Sequence, residues 1–267
     1  MNNEQRARPD VLAAPPAFER ILVGVDGTKG SFEACRQVAR LVERDATVEG
    51  AIVSLFTPAA ASALGVPDLA EKLEHTAGSA LAAAGRILGP GVELRRLQGL
   101  TVEALLEEAT RLEATLLAIG PPAHGRIEEI VFGGVGGELL HRVPCSVLVA
   151  RPVPDTAAFP REIVVGLDGS DGSERAYEVA ENVAARRHSA LRGVVALGGK
   201  QVDLERIRER HSEVESDPAA PVPALLDASA GADLLIVGSR GLHGPRALGS
   251  VSERVGHKAG CSVIVVR

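Results

Sequence analysis

The chain predicts an α/β protein made of two doubly wound parallel-sheet modules, the second a shortened copy of the first. Short runs of branched aliphatic residues alternate with longer stretches of helical spacing, the order that builds βαβ crossovers and a sheet covered on both faces. Three phrases also recur in the same order. Ile21-Leu22-Val23-Gly24-Val25-Asp26-Gly27 returns 142 residues later as Ile163-Val164-Val165-Gly166-Leu167-Asp168-Gly169. Leu116-Leu117-Ala118-Ile119-Gly120 returns as Leu234-Leu235-Ile236-Val237-Gly238 after 118 residues, and Cys145-Ser146-Val147-Leu148-Val149-Ala150-Arg151 as Cys261-Ser262-Val263-Ile264-Val265-Val266-Arg267 after 116. Finally, 45% of the 267 residues are hydrophobic but only 2% aromatic, so the cores must be built from Ala, Val, Leu and Ile, the material of buried parallel strands.

In chain order, residues 1–18 are polar and then Ala/Pro-rich, which predicts a mobile tail. Within the first module, residues 19–151, periodicity predicts strands at 21–26, 47–55, 92–97, 115–119 and 146–150. Helices fall between them at 29–44, 68–88, 101–112 and about 132–142. Residues 152–160 contain Pro152, Pro154 and Pro160 and read as a linker, because prolines this dense continue neither strand nor helix. The second module, residues 161–267, repeats the scheme with 24 fewer residues between its first strand and the turn after its fourth, and two fewer within the region of that turn. A helix fits residues 202–213, whereas residues 211–217 are poor strand material. The third strand of this copy is therefore expected to be short, at an edge, or missing.

Bulk properties narrow the function. A net charge of −6 with no basic run argues against nucleic acid or an anionic membrane as general partner. No run approaches 18 apolar residues and the first 19 lack signal-peptide order, so the expectation is a soluble, cytoplasmic protein. Cys35, Cys145 and Cys261 are too scattered for a disulfide framework or zinc cluster and read as small buried hydrophobes. No histidine has metal-ligand company at a useful spacing.

The richest stretch is residues 234–250, LLIVGSRGLHGPRALGS. A buried-strand pattern breaks at Gly238, a glycine-rich turn follows, and a helix-like segment begins near Gly249-Ser250. Glycines at 238, 241, 244 and 249 can take φ > 0 or let backbone amides approach a ligand, and Ser250 can cap a helix whose dipole favours phosphate. In doubly wound sheets ligands bind at the carboxyl ends of strands where the winding reverses. With strands one and four as neighbours, Asp168 faces the Gly238 turn across one crevice, and Asp26 faces the Gly120 turn across another. The plainer reading of Asp168 is a turn residue holding the Gly169-Ser170-Asp171-Gly172 bend, and Asp26 shares that ambiguity. Arg240, His243 and Arg246 lie in the turn and can either offset phosphate charge or stay solvated. Ser239, His243 and Asp168 are poor candidates for a nucleophilic triad, since Ser239 stands in a cradle and not on a sharp elbow before a helix.

These residues resemble the universal stress protein family in its tandem form, over nearly the whole chain from residue 20. Val-Gly-x-Asp-Gly closing strand one, the glycine turn after strand four, and the terminal Cys-Ser-Val-x-Val-x-Arg strand carry the resemblance. It implies a Rossmann-like, adenine nucleotide alpha hydrolase-like fold. In the nucleotide-binding branch the turn reads G-x-x-G, nine residues, then G-S/T, and holds the phosphates of ATP. Carried over, Gly238, Gly241, Gly249 and Ser250 match the phosphate-contacting positions, Asp168 the adenosine-contacting aspartate, and Leu197 the position packing on adenine. ATP, with Mg²⁺ as companion ion, is the implied cofactor. Two departures stand out. Only seven residues separate Gly241 from Gly249. The first copy keeps Asp26, Leu55, Gly120 and Gly133 at corresponding places but has Ala123 for the second glycine, Gly134 for Ser/Thr, and Pro121-Pro122 without amide N–H groups, so it reads as degenerate.

The resemblance implies an adenine-nucleotide-binding protein of the stress response that switches conformation or partner. A nucleotide-independent scaffold formed by the two modules is the alternative. A slow ATPase ranks third, since no general base is apparent. The final strands are expected to pair the modules within the chain, and association of two chains is compatible with the sequence.

Overall fold

The computed structural model describes residues 17–43, 45–54, 67–121, 135–199, 202–211, 213–239 and 249–267. Residues 1–16 of the tail expected at 1–18 lie outside the described residues, as do Leu55, Gly133, Gly241 and most of the glycine turn, whereas Phe18 is buried in the core. The first half runs β1 (Arg20–Val25), α1 (Lys29–Leu41), β2 (Thr47–Ser54), α2 (Pro67–Leu88), β3 (Glu93–Gln98), α3 (Thr101–Arg111), β4 (Leu116–Ile119), α4 (Val135–Arg142) and β5 (Ser146–Val149). After a 3₁₀ turn (Thr156–Ala158), the second half runs β6 (Glu162–Leu167), α5 (Asp171–Arg187), β7 (Ala190–Ala196), α6 (Leu204–Arg210), β8 (Val214–Asp217), α7 (Pro221–Ala228), β9 (Leu234–Gly238), α8 (Ser250–Lys258) and β10 (Ser262–Val266).

All ten strands form one sheet in the order β3-β2-β1-β4-β5-β10-β9-β6-β7-β8. Each half has the same internal order, and neighbours are parallel except β5 and β10, which join the halves antiparallel with Val263 opposite Val149 and Val265 opposite Val147. Side-chain alternation divides two cores between the faces. Ile21, Val23 and Val25 of β1 and Leu234 and Ile236 of β9 enter one core with α1, α2 and α5, while Leu22, Leu235 and Val237 enter the other with α3, α4, α7 and α8.

Helix starts follow their sequence. Thr28 and Ser170 cap α1 and α5 by accepting from Ser31 N and Ser173 N. Ala34, Cys35, Val38 and Leu41 then give α1 an apolar stripe at three- and four-residue spacing. The outer edges are blunted: β3 carries Glu93, Arg95 and Arg96, and β8 is four residues long at the sheet edge. The third strand of the second copy is thus present and short. Where the first half lays the 22-residue α2 over its sheet, the second has the seven-residue α6. Tyr177 and His211 meet near α6 with ring centroids 3.9 Å apart and planes tilted by 41°.

The segment expected to be a linker is packed. Phe159 is 2% exposed and belongs to the core that both halves share, and Thr156 Oγ1 donates to Glu33 Oε1 of α1 at 3.1 Å. Prolines forbid a ladder there but not burial of a single aromatic side chain. All three cysteines are buried, and burial pushes the thiol of Cys35 up to about 12 and that of Cys145 to about 11. They act as small apolar side chains.

Candidate functional site

β6 and β9 lie side by side, with Val165 opposite Ile236, so their carboxyl ends open into one crevice between Asp168 and Gly238. A cavity of about 160 Å³ sits there, walled by Val194 and Ala196 of β7, Leu225 of α7, Val237 of β9 and Val251 of α8. Asp168, Ser170, Ser173, Ser239 and Ser252 supply polar side chains. The equivalent crevice between Asp26 and Gly120 is larger, about 380 Å³.

Most polar groups of the first crevice are already engaged. Asp168 Oδ1 accepts from Ser170 N at 3.1 Å and from Ser170 Oγ, and Ser173 Oγ accepts from Asp168 N at 3.4 Å and donates to Ser170 O at 2.9 Å. Asp26 repeats this with Thr28 N at 2.9 Å, Thr28 Oγ1 at 2.6 Å and Ser31 Oγ at 3.3 Å. Both aspartates are exposed and hold turns whose next residues, Gly27 and Gly169, have φ of +80° and +77°. Ser252 Oγ donates to Gly249 O at 3.3 Å.

Ser239 differs. It is 2% exposed, its N–H donates to Val266 O at 2.8 Å, and its hydroxyl has no hydrogen-bond partner among the described residues although it lines the cavity. A buried hydroxyl left unpaired costs about 1–3 kcal/mol, which a polar ligand atom would recover. Beside it begins α8, whose N-cap is Gly249 with no side-chain cap bond, leaving first-turn amides at the cavity wall. Uncapped amides, the positive end of a helix dipole and an unspent hydroxyl in one cavity suit an anionic group. Sequence reasoning considered Ser239 only as a nucleophile. In the first copy its place belongs to Pro121, which has neither hydroxyl nor amide hydrogen.

Several sequence expectations change. Gly238 and Gly249 were expected to exploit positive φ, but Gly249 has φ −69° and Gly238 is absent from the left-handed region. Gly238 is small because α5 abuts it: a Cβ there would lie 2.2 Å from Gly172 O, and one on Gly172 would lie 2.3 Å from Ser239 O. The first copy repeats this contact, with a Cβ on Gly120 falling 2.3 Å from Gly30 C. Gly30 and Gly172 were missed, although both are 142 residues apart and preserved across the duplication, which is the signal that could have found them. Ser250 is the first helical residue and not the cap. Leu197, expected against adenine, is 45% exposed and absent from the cavity lining, where the pleat places Val194 and Ala196 instead. Among the described residues no group of three His, Cys, Asp or Glu side chains could hold a metal. No described helix is long and apolar enough to cross a membrane.

Comparison with known proteins agrees with this architecture. The chain is 31% identical over 186 residues to a universal stress protein of Mycobacterium tuberculosis, a match covering 58% of this chain and 62% of that relative's length. Against a universal stress protein of Mycolicibacterium smegmatis it is 29% identical over 289 residues, 92% of this chain and 96% of the relative. The crystal structure of a universal stress protein from Archaeoglobus fulgidus superposes with a TM-score of 0.70 over 94% of this chain and 96% of that one, at 19% identity. The family model described as the universal stress protein family matches residues 17–151 and 195–267, and with the paired crevices at the strand ends this places the chain in the universal stress protein family.

Proposed function

We propose that the chain binds ATP or a related adenine nucleotide in the crevice between β6 and β9, and that occupancy shifts a conformation or partner contact in a cytoplasmic stress response. The observation that carries this reading is the Ser239 hydroxyl, which has no hydrogen-bond partner among the described residues and is buried beside the start of α8, whose N-cap Gly249 offers no side-chain cap. The apolar walls of Val194, Ala196, Leu225 and Val237 suit a purine, and the α8 amides with Ser239 suit phosphate. The turn's contacts from Ser170 fall on Oδ1 of Asp168, and its second oxygen would suit a ribose hydroxyl or a companion Mg²⁺. The mechanism is differential binding: ligand pairs groups that are otherwise unsatisfied, so the state in which α8 and the turn before it face the crevice gains population.

Isothermal titration of the full chain with ATP, AMP and adenosine tests this. Saturable binding is expected, and Ser239→Ala is expected to weaken ATP about five- to tenfold, the loss of one hydrogen bond. Its melting temperature should hold or rise, because the substitution removes an unpaired buried hydroxyl. Absence of binding to any of the three would refute nucleotide recognition and favour a scaffold role. Gly238→Val and Asp168→Ala are poor probes here, since those residues hold the packing and the turn.

A further inference from the structure

Each half ends in an arginine that reaches into the other half. Arg151, just past β5, is 2% exposed. Its Nη2 donates to Gly256 O at 2.7 Å and His257 O at 3.1 Å, the last turn of α8, and its Nη1 donates to Cys261 O at 3.3 Å. Arg267, after β10, reciprocally donates to Leu140 O of α4 at 2.5 Å. The two contacts are unequal. Arg151 is itself fixed by a buried network: its N–H donates to Ser262 Oγ at 3.0 Å, Ser262 Oγ donates to Gln37 Oε1 at 2.8 Å, and Gln37 Nε2 donates to Arg151 O at 2.7 Å and Glu33 Oε1 at 3.0 Å. Arg267 N likewise donates to Ser146 Oγ at 3.3 Å, but in the second copy the position of Gln37 is filled by Val179 and that of Glu33 by Arg175, so the glutamine and glutamate of the network have no counterpart there.

We propose that Arg151 is a positioning residue for the nucleotide crevice, so that a site lying in the second half is completed by a buried side chain of the first. The inference rests on the reading of that crevice as a nucleotide site. α8 spans nine residues, with its free amides at the crevice and its last carbonyls on the Arg151 guanidinium. A fixed cation at the carboxyl end of a helix and an anion at its amino end complement the same dipole, and a helix held at one end presents the other in a fixed place. The first copy thereby keeps a task even where Pro121 replaces the hydroxyl and amide hydrogen that Ser239 supplies in the second crevice. Among the described residues no carboxylate pairs with Arg151; three carbonyl oxygens accept from its guanidinium, and burial lowers its pKa from the ordinary arginine value.

The test compares ATP with adenosine on the full chain and adds hydrogen exchange. Arg151→Met is expected to weaken ATP about tenfold while changing adenosine less than about twofold. It is also expected to speed exchange in the ligand-free protein at Glu253, whose N–H closes the first turn of α8 on Gly249 O at 3.0 Å, and at the next two residues. Arg151→Lys should recover part of both effects, and Arg267→Met, the mirror change, should leave ATP affinity unaltered. Equal losses for ATP and adenosine, or unchanged ATP affinity and exchange, would overturn the assignment. If the parent binds neither probe, the nucleotide reading fails and exchange alone decides: acceleration confined to α8 supports positioning, and none overturns it. Should Arg151→Met not fold, Gln37→Leu removes the support of Arg151 and imitates Val179, with the same outcomes at smaller size.

Discussion

Adjacent residues at the end of β9 carry opposite tasks. Gly238 is read from the sequence as a ligand contact; in the structure it lines the crevice and its backbone is also pressed against Gly172. Ser239 is set aside in the sequence reading and carries a buried hydroxyl that has no hydrogen-bond partner among the described residues. Gly238→Ala is therefore expected to destabilise the protein by about 1–3 kcal/mol through overpacking against backbone that cannot yield. Urea unfolding should show that loss, whereas Ser239→Ala should lose affinity and keep stability. A neutral Gly238→Ala would contradict the close helix–strand approach. The glycines were legible as special in the sequence, but not their reason, because close approach and positive φ demand the same residue type.

At the scale of elements, α3 is joined to the sheet by charge, two buried carboxylates meeting half-exposed arginines. Glu49 of β2 is 1% exposed and pairs with Arg111, which also pairs with Glu108 at 2.5 Å, and Arg95 of β3 reaches Glu108 at 3.3 Å. Burial, and then the neighbouring Glu108 carboxyl, push Glu49 from its ordinary 4.5 up to about 7. Its folded value lies above its unfolded one, so the fold binds the extra proton. That contribution is present in full below about pH 4.5 and is lost as pH rises through about 7. Glu49→Gln should accordingly raise the melting temperature by a few degrees at pH 8 and by little at pH 5. A gain that is the same at both pH values would argue against a titrating Glu49. The alternation of strand and helix made these elements legible within a few residues, yet a glutamate inside a strand read as a core segment gave no hint of its partner 59 positions on at Glu108.

Over the whole molecule, the halves behave as one sheet because β5 and β10 close on each other. Every residue of both strands is buried. Cutting the chain at the packed segment that contains Phe159 would expose β5 as an apolar edge. A fragment of residues 17–151 is expected to self-associate on size exclusion, while the full chain unfolds in a single thermal transition. Two separate transitions for the full chain would mean that the halves are energetically independent.

The amino-acid sequence by itself determined the duplication, the βαβ order, the shortened middle of the second copy and the two turns where a ligand would lie. Hydrophobic period and glycine placement are local, and repetition at fixed offsets made them visible twice. Tertiary structure decided which residues serve packing and which face the crevice. It set Gly172 against Gly238, left the Ser239 hydroxyl without a partner among the described residues, turned Leu197 outward and brought Arg151 onto a helix that begins 99 positions later. Those outcomes depend on contacts between segments remote in the chain, and periodicity reports only which face a side chain occupies and not what it meets there.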